Sequence, residues 1–138
     1  QDYYSPDIID HSLQAADILK LNNDELMILR DLFFLKGHED EQIRTLMKRY
    51  HLKLVALTRG ADGSTLYSKS KKSVYRSGIL KVADTVGAGD AFTAALVVLY
   101  LRGLRLEEIH HKASLLAAFV CTQNGATPVI PEEFRFNM

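Results

Sequence analysis

Apolar residues return every three or four positions in two stretches of the chain: Leu26, Leu29, Leu32 and Phe33, then Ile43, Leu46, Met47 and Tyr50. That period keeps them on one face of a helix, so amphipathic helices are predicted over residues 23–34 and 39–51. A helix is also expected from Pro6 to about residue 16, followed by a short strand, DILKL, leading into Asn22. The uninterrupted run KLVALT (53–58) reads as a strand buried on both faces. STLYS and SVYRSG are expected as antiparallel strands around the charged turn KSKK.

Two more helices are expected. Residues 91–103 are apolar nearly all round and close on Gly103, the profile of a helix buried between layers. Residues 106–125 run to a stop at Gly125, and TPVIP follows as an extended tail. With no internal repeat, low-complexity segment or linker, residues 1–138 read as one domain. Strands alternating with helices imply an α/β sheet covered on both faces, with ligands gathering at the carboxyl ends of the strands.

Composition narrows the choice of function. At 138 residues and 47% apolar, the chain can bury a core. Seventeen basic residues balance seventeen acidic ones, so charge points to neither nucleic acid nor an anionic membrane. No uncharged stretch approaches the roughly 20 apolar residues that span a bilayer. The lone Cys121, in an apolar run, is expected to be a small buried hydrophobe in a reducing, cytoplasmic setting. The five histidines are read as solvated or helix-capping, since His110 and His111 diverge by about 100° on a helix and do not share an ion easily. The chain opens on Gln1 without a methionine, which suggests a processed, tagged or truncated product.

Three motifs fall at strand ends. Asn22 followed by Glu25 suits a helix cap, and capping outweighs chemistry for this pair taken alone. The alternative sets Asn22 against phosphate oxygens and Glu25 in the water shell of Mg²⁺. Thr58, Gly60 and Gly63 form either a tight turn or a loop that lets a nucleotide approach the backbone.

Gly87-Ala88-Gly89-Asp90 is the informative motif. A dinucleotide fingerprint fails at Phe92, too large for close helix–strand packing, and a P-loop would need Lys-Ser/Thr where Asp90-Ala91 stands. An Asp against a pyrophosphate would also be repelled, by about 4 kcal/mol at about 4 Å and an effective dielectric of about 20. Phosphoryl transfer to an alcohol removes the conflict. The amides of residues 87–89, ahead of the helix expected from Ala91, stabilise charge on the moving phosphoryl group. Asp90 takes the proton of the attacking hydroxyl.

DTVGAGD resembles the D-T-x-G-A-G-D signature of ribokinase-like (PfkB-type) carbohydrate kinases. N-x-x-E (Asn22, Glu25), T-x-G-x-x-G (Thr58, Gly60, Gly63) and a closing G-A-x-P-like segment in NGATPVIP follow the family's order. The resemblance implies a three-layer sheet with helices on both faces, of which this chain is the C-terminal portion. It implies Asp90 as catalytic base and Gly87, Ala88 and Gly89 as the anion hole. ATP would meet Asn22, Thr58, Gly60 and Gly63, and Ser114 stands where the family often places an Asn or His near the adenine. Glu25 would hold Mg²⁺ through water. A monovalent cation such as K⁺ would draw on Asp84 and on backbone near Val86, Val120, Gln123 and Gly125.

The resemblance further implies ATP and a sugar as partners, a fructokinase-like member as the nearest subgroup, and a homodimer for the intact protein. The family's sugar-binding Asp, paired-glycine motif and β lid have no counterpart here, so the isolated chain is expected to phosphorylate sugars weakly or not at all. A non-catalytic nucleotide-binding or assembly module is the alternative. The presence of Asp90 weighs for the enzyme, since a binding module needs no base.

Overall fold

The computed structural model describes residues 4–78, 86–125 and 127–135. The chain divides into two compact units, one of Gln1–Arg59 with Thr65–Lys72, the other of Gly60–Ser64 with Ser73–Met138. Among the described residues four strands form one sheet in the order β1-β2-β3-β4: β1 (Ile18–Asn22), β2 (Leu54–Thr58), β3 (Ser64–Ser68) and β4 (Lys72–Tyr75). The expected strands are all present, although SVYRSG is strand only as far as Tyr75.

In the first unit, α1 (Pro6–Ala15) starts where Ser5 Oγ accepts the Ile8 N–H and Pro6 supplies a preset φ. Strand β1 then pairs in parallel with β2, from Ile18 opposite Leu54 to Asn22 opposite Thr58. A parallel pair requires a crossover. It is made by α2 (Asn23–Phe33) and α3 (Glu39–Tyr50). Helix α3 buries the four residues its spacing singled out, Ile43, Leu46, Met47 and Tyr50. Helix α2 buries Leu26 and Leu29 fully, but Leu32 and Phe33 only in part. Leu26, Leu29 and the four α3 residues join Leu13, Leu21, Val55, Leu57 and Tyr67 in a single core, with Phe33 packed against it. Leu54, Val55, Ala56 and Leu57 are all buried, as an uninterrupted apolar strand requires.

The turn from β3 to β4 closes with Ser68 N–H donating to the Lys71 carbonyl at 2.9 Å. Arg44 braces it by donating to the carbonyls of Ser68, Lys69 and Lys71, with its guanidinium over the Tyr67 ring. The Tyr67 hydroxyl donates to Asp40 at 2.7 Å, and burial together with that carboxylate pushes its pKa well above the usual phenol range.

The second unit is built on α4 (Ala88–Leu101) and α5 (Leu106–Cys121), which pack against each other. Helix α4 starts three residues before the expected Ala91. It is also less enclosed than its composition suggested. Phe92, Ala95, Leu96 and Leu99 are buried, whereas Ala94 is exposed and Leu101 is 77% exposed. Helix α5 ends at Cys121, four residues short of the expected Gly125, and Cys121 is partly exposed rather than buried. No helix among the described residues is long and apolar enough to cross a membrane.

Candidate active site

Within the first unit, β1 and β2 end side by side, so register makes Asn22 and Thr58 neighbours at the carboxyl edge of the parallel pair. Asn22 also caps α2. Its Oδ1 accepts the Glu25 N–H at 2.8 Å, and Glu25 Oε2 accepts the Asn22 N–H at 2.7 Å. This is the reciprocal cap expected of the spacing. It occupies Oδ1 and Oε2, and both residues are exposed, so the Asn22 amide nitrogen and Glu25 Oε1 remain outside the cap. The Thr58 hydroxyl donates to the Leu21 carbonyl at a long 3.4 Å.

The loop after β2 enters the second unit at Gly60. Gly60–Asp62 forms a 3₁₀ turn, closed by Gly63 N–H donating to the Gly60 carbonyl at 3.2 Å. Both glycines adopt positive φ, +55° and +99°, for different reasons. Among the described residues a Cβ on Gly60 would meet nothing within 4 Å, so that side of the turn is open for close approach. A Cβ on Gly63 would stand 2.0 Å from the Tyr75 carbonyl oxygen, so Gly63 is dictated by the backbone at the end of β4.

The glycine-rich signature forms the start of α4. Gly87, at φ +83°, is the N-cap, and Ala91 N–H donates to its carbonyl at 2.9 Å. Ala88, Gly89 and Asp90 are therefore the first three residues of the helix, and Asp90 belongs to its first turn instead of preceding it. Glycine at the cap offers no side chain to bond the leading amides, which carry the partial positive charge of a helix N-terminus. The Asp90 side chain is exposed, and the Thr93 hydroxyl donates to the Gly89 carbonyl at 2.8 Å, holding the first turn.

Ser114, on α5, is 6% exposed, and its Oγ is the buried polar side-chain atom left without a hydrogen-bond partner among the described residues. Such a group is costly unless something binds it. Val120 is buried, and its carbonyl accepts the Gln123 N–H at 3.1 Å where α5 unwinds. Gly125 has φ +85° and, among the described residues, nothing within 4 Å of where a Cβ would stand, and Val86 is exposed. Asp84 lies outside the described residues.

The histidine expectation holds at helix ends and fails at one position. His38 and His51 flank α3, and His11 is exposed on α1. His110, expected to be solvated or capping, is 1% exposed. Its Nε2 bonds to Ser64 Oγ and its Nδ1 to Ser73 Oγ, each at 2.8 Å, and Tyr75 lies against the ring. Burial lowers its pKa to about 4, so it is neutral at pH 7. The signal was present in the sequence: Leu106, His110 and Ala113 share one helical face.

A family model described as pfkB family carbohydrate kinase matches residues 3–133. The chain is 34% identical over 125 residues to the ribokinase of Arabidopsis thaliana, covering 87% of this chain and 32% of that protein. It is 29% identical over 126 residues to the fructokinase of Escherichia coli, covering 87% of this chain and 40% of that one. Its fold matches an Escherichia coli structure solved with ATP and Mg²⁺ under the name Ribokinase II, with a TM-score of 0.76 over 87% of this chain and 37% of that one at 22% identity. The chain thus spans well under half the length of the relatives it matches.

Proposed function

The chain belongs to the pfkB family of carbohydrate kinases, and on that premise we propose that it is the nucleotide-binding and catalytic-base half of an ATP-dependent sugar kinase. One observation carries the reading: a helix start capped by glycine, with no cap side chain bonded to it, and a carboxylate exposed in the same turn. An amide cradle alone would suit any phosphate ligand. The added carboxylate suits a reaction in which a proton must leave an attacking hydroxyl.

In this reading the amides of residues 87–90 hold the oxygens of the γ-phosphoryl group as their charge shifts. Asp90 accepts the hydroxyl proton while the alcohol oxygen bonds to phosphorus and the bond to the departing ADP breaks. A carboxylate is a weak base, but the alcohol becomes strongly acidic only as the new P–O bond forms. The Asn22 amide nitrogen and the Thr58 hydroxyl serve as donors to phosphate oxygens from the neighbouring ends of β1 and β2. Glu25 Oε1 is the carboxylate oxygen left for a water of Mg²⁺, a hard ion that keeps several waters. Gly60 offers the open backbone for the nucleotide, and the orphaned Ser114 hydroxyl a polar contact to it. A K⁺ ion near Val86, Val120, Gln123 and Gly125 would have to share the Val120 carbonyl with the Gln123 amide. The sugar is proposed to be a ketohexose or pentose, on the likeness to fructokinase and ribokinase.

Asp90→Asn in the intact protein should lower kcat by about 100- to 10,000-fold while ATP affinity stays within about threefold. Near-normal kcat would remove Asp90 from the role of base. The 138-residue chain alone should turn over neither fructose nor ribose at a useful rate, and brisk turnover would show that it holds a complete sugar site.

A further inference from the structure

His110 is a buried imidazole that the proposed chemistry does not use. It sits one helical turn before Ser114 on α5. Its Nε2 reaches the hydroxyl of Ser64, the residue after Gly63 where the Gly60 turn passes into β3. Its Nδ1 reaches Ser73 at the start of β4. Gly63 lies against the backbone of Tyr75 and Arg76, at the end of that same strand. The ring therefore joins the turn, the strand supporting it and the α5 turn carrying the orphaned Ser114 hydroxyl.

We propose that His110 is a positioning residue, clamping the Gly60–Ser64 turn to α5 so that the open face of Gly60 and the Ser114 hydroxyl stand at a fixed separation, as two walls of the nucleotide pocket. The proposal rests on the nucleotide reading of these residues. Three physical facts support it. A neutral imidazole has one donor and one acceptor nitrogen, and the two serine hydroxyls satisfy both. A side chain this enclosed has no alternative rotamer to visit without losing both bonds. The partners lie 46 and 37 residues away in sequence, so the clamp links segments that no local interaction ties together.

Three substitutions separate positioning from plain packing. His110→Gln places an amide near the Nε2 position and keeps a partner for Ser64. His110→Asn places one near Nδ1, keeping Ser73 and releasing Ser64. Ser64→Ala releases the same contact from the other side. Amide exchange at Gly63 and Ser64 in the chain without nucleotide, and Mg·ATP affinity by calorimetry, are measured for each variant.

The clamp predicts faster exchange at these two amides and about tenfold weaker ATP binding for His110→Asn and Ser64→Ala, with His110→Gln near wild type in both. Unchanged exchange in the two released variants overturns it. So does an equal loss of affinity in Gln and Asn that simply follows their stabilities. If the wild-type chain binds no ATP, the nucleotide reading fails and the pocket-wall proposal falls with it, whereas exchange then reports only whether the mechanical clamp exists.

Discussion

Acidifying the protein should charge His110 in the unfolded chain well before it does so in the folded one, and the resulting loss of stability can be worked from the structure. The ordinary pKa of 6.5 falls to about 4 because the ring is enclosed. Between those values the unfolded state binds a proton that the folded state refuses, so stability falls as pH falls through this window and levels off below about 4. Summed over both states, the cost at pH 5 relative to pH 7.5 is about 2 kcal/mol from this one group. The assay is urea unfolding followed by far-UV circular dichroism at both pH values, on wild type and His110→Gln. Gln does not titrate, so carboxylates elsewhere contribute to both proteins and cancel in the difference. Wild type should lose about 2 kcal/mol more than the variant on acidification, with matching urea slopes. Equal losses in the two proteins would mean that His110 titrates normally and that its enclosure is not as described.

Two further outcomes separate ligand contacts from structural ones. Ser114→Ala deletes a buried hydroxyl without a partner, so the ligand-free chain should hold its stability or gain about 1 kcal/mol in chemical unfolding. ATP titration of the same variant should show severalfold weaker binding, and undiminished affinity would detach Ser114 from the nucleotide. Gly63→Ala, with its Cβ 2.0 Å from the Tyr75 carbonyl oxygen and φ +99°, should destabilise by more than about 2 kcal/mol. Gly60→Ala meets open space and should cost only about 1 kcal/mol. Equal costs in thermal or urea unfolding would refute the division of labour between the two glycines.

Much of the fold was legible because it follows from local rules. The 3–4 spacing of Ile43, Leu46, Met47 and Tyr50 requires one buried face, and the unbroken run at residues 54–57 requires burial on both sides of a strand. Asn22 and Glu25 cap α2 as their spacing demands, since cap partners lie within three residues. The signature at residues 84–90 was the source of the proposed chemistry, because few reactions need an amide cradle and a carboxylate in adjacent positions.

Tertiary structure decided what depends on distant partners. Nothing local could show that Gly63 yields to the Tyr75 backbone, or that Gly60 faces open space. The left-handed cap at Gly87 moved the start of α4 back to Ala88 and drew Asp90 into the helix, a choice set by one backbone torsion. A polar residue on an apolar helical face is buried or solvated according to what crosses it. For His110 that is Ser64 and Ser73, brought there by strands far along the chain. Periodicity assigns a side chain to a face; only packing supplies the partners that make burial affordable for an imidazole, and leaves Ser114 without one.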